Sequence, residues 1–417
     1  MHVTALGAIL GLIVAIFLII KKVHPAYGLI IGALVGGIVG GAGIEGTVKL
    51  MIDGSKGMMP AVLRILTAGA LAGVLIKSGA AAKIAESIIE KIGEKNALVA
   101  LTIATMVLTA VGVFVDVSVI TVAPIALAVA HKTGLTKTGI LIAMVGGGKA
   151  GNIISPNPNT IAAANNFNVP LTSVMLAGVI PAIFGIIITI IISKKLAKRG
   201  SSVSLSDLTE EVEDKPSFFA SIIGPLVAIV LLALRPLANI AIDPLLALPI
   251  GGVIGIIAMG KVKKLNEYAQ FGLAKMSGVA ILLIGTGTIA GIISNSALKD
   301  VIVNGLTYIG LPAFLLAPIS GILMSAATAS TTSGTAVASS VFGQTILGLG
   351  VGALPAAAMI HAGATVLDHL PHGSFFHATG GSVTMPMKER LKLIPYESLV
   401  GLGMTIVSTI IYGIILK

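Results

Sequence analysis

The chain has 417 residues, 55% of them hydrophobic and 11% charged, with mean hydropathy +1.04 and a formal net charge of +10. These proportions exclude a soluble protein of this size and leave an all-α integral membrane protein; the long apolar runs also exclude an outer-membrane barrel, whose segments are short and alternate. Without cysteine there are no disulfides, thiolate metal sites or cysteine nucleophiles, and in a membrane protein the excess of lysine and arginine belongs to cytoplasmic loops, not to a nucleic-acid site.

Residues 3–20 read as a first span, closed by Lys21 and Lys22. It lacks a basic leader and a cleavage site, so it reads as retained and not as a signal peptide. Residues 25–43 form a second, glycine-rich span suited to close helix packing. Residues 44–57 carry Glu45, Lys49, Asp53 and Lys56 and read as an external loop. A third span covers 58–76, with Arg64 and Lys77 near its ends and free to snorkel. Residues 80–92 set Lys83, Glu86, Glu90 and Lys91 opposite Ile84, Ile88 and Ile89, the pattern of an amphipathic helix at the membrane interface. Residues 97–130 are apolar but interrupted at 114–118, which predicts a re-entrant hairpin.

A broken helix is expected over about 138–165. Its centre runs from Gly146 through Pro156 and Pro158 to Thr160. Glycines permit unusual backbone angles and prolines end regular helices. A membrane tolerates such backbone only where protein buries it or water lines it. A span at 171–193 completes the first half. Residues 194–217 are the one clearly hydrophilic linker, mixing Lys194, Lys195, Lys198 and Arg199 with Asp207, Glu210, Glu211, Glu213 and Asp214.

The pattern then restarts, with spans at 218–234, 240–259 and 275–293 and an amphipathic piece at 297–309. A second hairpin at about 311–347 is interrupted by the polar run 325–335. A second broken helix covers about 352–381, and an amphipathic 385–396 leads into the last span at 397–416. Ala72-Gly73-Val74-Leu75 matches Ala290-Gly291-Ile292-Ile293, at an offset of about 217 residues. A weak internal repeat of this kind marks secondary transporters. With Lys21 and Lys22 in the cytoplasm, residues 1–193 make five crossings and one re-entrant hairpin and end inside. Residues 218–417 begin inside and end outside, so the two repeats are inverted. Lys83, Lys91, Lys95, Lys132, Lys137, Lys194, Lys195, Lys198, Arg199, Lys261, Lys263, Lys264, Lys388, Arg390 and Lys392 then fall inside. Lys49, Lys56, Arg235, Lys299 and Lys417 fall outside, as the positive-inside rule asks.

Four polar interruptions lie in apolar segments: 116–121, 155–160, 325–335 and 368–374. One hairpin tip and one broken helix per half can meet near the midplane. Helix ends at such breaks suit a carboxylate, and hydroxyl and amide groups suit substrate hydroxyls. The candidate substrate-binding residues are Asp116, Ser118, Lys149, Asn152, Ser155, Asn157, Asn159, Thr160, Ser330, Thr331, Thr332, Ser333, His369 and His372. Asp116 is the only carboxylate in the first hairpin; it is a proton or ion carrier, or else a helix cap. Asp368 and His361 are the other candidates for proton or ion coupling. Lys149 either pairs with a substrate carboxylate or snorkels. The four histidines at 361, 369, 372 and 377 do not match a zinc motif, so no metal and no cofactor is expected.

Three patches resemble the GntP-type gluconate permease family, within the ion transporter superfamily. They are Phe114-Val115-Asp116-Val117-Ser118, the proline-rich break Ser155-Pro156-Asn157-Pro158-Asn159-Thr160, and the run from His361 through Ser374 to Met387-Lys388-Glu389-Arg390-Leu391 and the last span. The break is also similar to the Thr-Pro-Pro-Asn break of sodium-coupled dicarboxylate transporters. Gluconate permeases usually carry histidine and glycine where this chain has Asn157 and Asn159. The resemblance implies proton-coupled uptake of a sugar acid or hydroxycarboxylate by a homodimer, in which a transport domain moves against a scaffold as an elevator.

The expected function is therefore a proton symporter of a small organic anion, such as gluconate, in the inner (cytoplasmic) membrane. Oxygen-rich breaks also suit a sodium-coupled carrier. A membrane-embedded hydrolase would need a nucleophile–base pair or metal motif that the sequence lacks, and two non-equivalent halves around a polar centre argue against a channel.

Overall fold

In the computed structural model, the described residues are 3–208, 215–298, 301, 304, 308, 312–371 and 373–416, and they are almost wholly helical. Six segments are long and apolar enough to cross a membrane, among them Met59–Lys77, Phe218–Ala238 and Val262–Ser294; the bent pair Ala80–Ile92 and Glu94–Ala110 makes up to seven. The protein is thus an all-α, multi-pass membrane protein.

The first half begins with α1 (Ala5–Ile20), α2 (Pro25–Val39), α3 (Gly43–Gly57), α4 (Met59–Lys77) and α5 (Ala80–Ile92). The second begins with α12 (Phe218–Ala238), α13 (Pro244–Ala258) and the 30-residue α14 (Leu265–Ser294), which starts ten residues before the span expected at 275. Without a hydrophobic drive between helices in lipid, close approach of small residues holds such pairs. A Cβ on Gly7 of α1 would stand 2.3 Å from Gly40 Cα, and one on Gly272 of α14 only 1.8 Å from the Gly69 carbonyl of α4.

Residues 44–57 are not the expected external loop. They form α3, whose Gly46, Thr47, Leu50 and Met51 are buried, while Glu45 and Lys49 stay exposed. Gly291 of α14 approaches the Leu50 carbonyl so closely that a Cβ there would lie 2.1 Å away. Spacing of three and four residues places that stripe on one helical face; the charges on the other face masked it. Arg64 does not simply snorkel. It pairs with Asp243 at 2.7 Å and donates to Asn165 at 3.3 Å, linking α4 to the start of α13 and to residue 165.

Between these helices lie α6 (Ala97–Ala110), α7 (Val115–Thr133), α8 (Lys137–Asn152), α9 (Pro158–Asn166), α10 (Leu171–Ala177) and α11 (Val179–Leu196). In the second half come α15 (Leu316–Thr328), α16 (Thr331–Gly348), α17 (Ala353–Gly363), α18 (Ser374–Ser382), α19 (Met387–Leu391) and α20 (Ile394–Thr409), which continues as a π-helical turn to Ile415. Five residues separate α8 from α9, two separate α15 from α16, and ten separate α17 from α18. The amphipathic piece expected at 297–309 falls largely outside the described residues.

The linker is strapped down where it is described. Lys137 Nζ reaches Asp207 at 2.7 Å and Thr384 Oγ1 at 2.7 Å, and Ser201 N–H donates to Glu389. Burial acts to raise the Asp207 pKa, but hydrogen bonds from Lys137, Thr384 and Ser204 outweigh it and hold the carboxyl well below its usual range. A depressed carboxylate stabilises the fold above its unfolded pKa and loses that contribution as pH falls through the folded one. The strap therefore stays closed through the neutral range.

Candidate functional site

The four polar interruptions meet at one cavity of about 160 Å³. It is lined by Phe114, Val115 and Asp116 from the first hairpin tip, and by Asn152 and Asn159 from the two sides of the first break. Ala329, Ser330, Thr331 and Thr332 come from the second hairpin tip, and Asp368, Ser374 and Phe375 from the second broken region.

The helix ends explain this placement. Val115 and Asp116 open α7, Asn159 is the second residue of α9, Thr331 and Thr332 open α16, and Ser374 and Phe375 open α18. Four helix N-termini thus surround one space, each with a partial positive charge, although side chains of the breaks themselves cap the starts of α9 and α16. Among the described residues no lysine or arginine lines the cavity, and two carboxylates do. Ala329 holds φ +47°, a left-handed conformation that costs a β-carbon-bearing residue about 1–3 kcal/mol and is typical of strained functional sites.

Seven of the candidate residues line the cavity: Asp116, Asn152, Asn159, Ser330, Thr331, Thr332 and Asp368. Three of them are wired together. Thr332 Oγ1 donates to Asn159 Oδ1 at 2.5 Å, and Asn159 Nδ2 donates to Asn152 Oδ1 at 3.0 Å.

Others are turned inward and hold the breaks in shape. Asn157 Oδ1 accepts from the Asn159 and Thr160 N–H groups, capping α9, while its amide donates to the Asn152 carbonyl at 2.9 Å. Thr160 Oγ1 donates to the Ser155 carbonyl at 2.7 Å, and Ser155 Oγ is buried without a partner. Ser333 N–H donates to Ser330 Oγ, capping α16. Ser118 is buried and accepts from Thr109 Oγ1 at 3.2 Å. His361 is buried with Nε2 unpartnered, away from the cavity lining. His372 lies outside the described residues.

Lys149 does not snorkel, nor does it line the cavity. It is 1% exposed, and its ammonium donates to the Thr365 carbonyl at 2.6 Å, Asp368 Oδ1 at 2.6 Å and His369 Nδ1 at 2.9 Å. An ammonium has three hydrogens, so these acceptors exhaust it. Asp368 accepts on its other oxygen from Thr331 Oγ1 at 2.5 Å, at the cavity wall. His369 Nε2 faces the Ile394 carbonyl at 3.0 Å. Nδ1 lies 3.0 Å from Asp368 Oδ1 as well as beside Lys149, so the ring, the ammonium and the carboxylate form one buried cluster.

Behind this cluster lies a second buried pair that the sequence reading missed. Arg390 was counted among the cytoplasmic surface charges, but it is 1% exposed. It binds both oxygens of Glu397, which is equally buried, donates to the Phe376 carbonyl at 3.2 Å and Thr379 Oγ1 at 3.1 Å, and sits over the Phe376 ring. Glu397 Oε2 lies 4.0 Å from His369 Nδ1, so the two buried pairs adjoin. Among the described residues no group of His, Asp or Glu is arranged to hold a metal ion.

A polytopic helical protein with broken helices converging on one polar cavity has the build of a membrane transporter. Residues 3–415 match the GntP family permease model, and the chain belongs to that family. It is 64% identical, over 99% of both chains, to an uncharacterized transporter of Haemophilus influenzae. It is 26% identical to a gluconate permease of Pseudomonas aeruginosa over 80% of each chain, and 22% identical to the high-affinity gluconate transporter of Escherichia coli over 94% of this chain and 95% of the other. Its fold is similar to the crystal structure of the Alcanivorax borkumensis YdaH transporter, with a TM-score of 0.64 over 89% of each chain at 14% identity. The resemblance first carried by three patches thus extends across the chain, and the protein is a permease, not an enzyme.

Proposed function

We propose that this permease is a proton symporter of a small organic anion, a sugar acid such as gluconate or a related hydroxycarboxylate, in the inner membrane. The carrying observation is the charge pattern of the cavity. Four helix N-termini and a set of hydroxyl and amide groups suit a carboxylate with hydroxyls, while the lining carries carboxylates and no unpaired cation, so that an anion enters more readily when a proton comes with it. Sodium is the second reading, since two carboxylates beside hydroxyl oxygens also suit a hard cation. Proteoliposomes loaded at high pH and diluted into low pH are expected to accumulate radiolabelled gluconate without sodium. Accumulation that needs a sodium gradient and ignores pH would replace the proton by sodium.

Alternating access of an elevator type fits a repeated architecture. Helices α7 and α16 begin at 115 and 331, α8 and α17 at 137 and 353, and α9 and α18 at 158 and 374, the same offset of 216 residues each time. Equivalent positions touch at the centre: Lys149 bonds the carbonyl of Thr365, and Asn152 matches Asp368. In this reading α6–α9 and α15–α18 form the transport domain, the outer spans form the scaffold, and two copies pair through the scaffold. The repeats are inverted, with the linker in the cytoplasm. Contacts between Lys132 and Glu94, Lys198 and the Gly134 carbonyl, and Lys137 and Thr384 support this by gathering basic segments together. Ser204→Cys, in a chain with no native cysteine, is expected to react with a membrane-impermeant maleimide only after cells are permeabilised. Reaction in intact cells would exclude this orientation.

A further inference from the structure

We propose that Asp368 takes the coupling proton, and that Lys149 ties that proton to the anion by passing from one counter-ion to the other. The inference rests on the proton-symport reading and assigns its chemistry to one of the two cavity carboxylates.

Asp368 stands between the cavity and the buried ammonium of Lys149. One oxygen faces Lys149 at 2.6 Å, the other faces Thr331 at the wall. The charged and titratable groups around it are Lys149 from α8, His369 at 3.0 Å, and beyond His369 the Glu397–Arg390 pair, which is neutral as a unit. Asp116 lines the same cavity from α7. With Asp368 ionised, Lys149 is neutralised and nothing favours an anion. A solvent proton bound on the Thr331-facing oxygen turns that oxygen from acceptor to donor and leaves the ammonium without a counter-ion. A buried charge without a counter-ion is costly. An anion in the cavity removes that cost and accepts the new O–H hydrogen bond. Proton and anion therefore bind together, and the proton leaves when the anion does. Among the described residues Asp116 makes no ion pair; Lys275 acts on it only through space, so its protonation strands no bonded cation.

The test is equilibrium binding of radiolabelled gluconate to purified protein between pH 5.5 and 8. Uptake of one proton per anion makes wild-type affinity fall about tenfold per pH unit. Asp368→Asn, which mimics the protonated acid, is expected to bind with less than about twofold change across the range, while Asp116→Asn keeps the wild-type slope. Asp368→Asn leaves Lys149 unpaired and can misfold, so the neutral pair Lys149→Met with Asp368→Asn is measured beside it. That pair is expected to fold, to bind at least about a hundredfold more weakly than wild type at pH 5.5, and to show no slope. A wild-type slope in either Asp368 variant, or a slope lost in Asp116→Asn alone, overturns the assignment while leaving proton symport intact. Wild-type protein that binds gluconate with no pH dependence, or does not bind it, overturns both.

Discussion

Replacing Arg390 by alanine is expected to destabilise the permease by about 3–5 kcal/mol, the usual effect of removing one partner of a buried ion pair. The guanidinium satisfies both oxygens of Glu397, and Glu397 is only 1% exposed, so no water can take over. Arg390 also fixes the second broken region through the Phe376 carbonyl and Thr379, so the loss reaches α18 beside the cavity. Against a typical total of about 5–15 kcal/mol, such a change removes much of the folded population. Thermal unfolding in detergent is the measurement. Arg390→Met with Glu397→Met should recover most of the loss, because an apolar pair leaves no unpaired charge. A wild-type melting temperature for Arg390→Ala would show that the pair contributes little.

The second large effect is on binding. Asn159→Ala is expected to weaken gluconate affinity roughly ten- to hundredfold, as loss of one hydrogen bond to a charged group costs about 1.5–3 kcal/mol. Asn159 sits in the first turn of α9, and its amide links Asn152 to Thr332, so its removal also frees both neighbours at the cavity wall. Thr332→Ala should show a smaller loss of the same kind. Calorimetry on folded variants decides the matter. Unchanged affinity in both would mean that the chain Asn152–Asn159–Thr332 shapes the break without touching the anion. Asn157→Ala belongs to a different category, since Asn157 caps α9 and should affect stability before affinity.

Much of the helix pattern was legible because its signals are local. Apolar runs, the Gly-Gly-Gly before Lys149 and the Pro-Asn-Pro after Ser155 speak for themselves within a few residues. The same locality explains the errors. The residues 44–57 carry a buried stripe, but four charges on the opposite face dominated the reading. Lys149 offered two fates, substrate or interface; it is buried away from the interface, and the partners it holds lie more than 200 residues away, out of reach of a local reading. Glu397 was absorbed into the last span, and its arginine into the cytoplasmic charge count, although they are seven residues apart and face each other. Of the polar residues at the breaks, chemistry alone could not say which look outward. A broken helix must first satisfy its own exposed backbone, and the side chains of Asn157, Thr160 and Ser330 are used in doing so, leaving Asn152, Asn159, Thr331 and Thr332 for the cavity.

The size of the cavity carries its own consequence. A cavity of about 160 Å³ has room for several water molecules. A six-carbon acid that enters it displaces several of them, trading its hydration shell for hydroxyls, amides and helix ends. Occupation becomes an exchange of one solute for a handful of waters, which makes it sensitive to osmotic pressure. Excluded solutes that lower water activity should favour the loaded form.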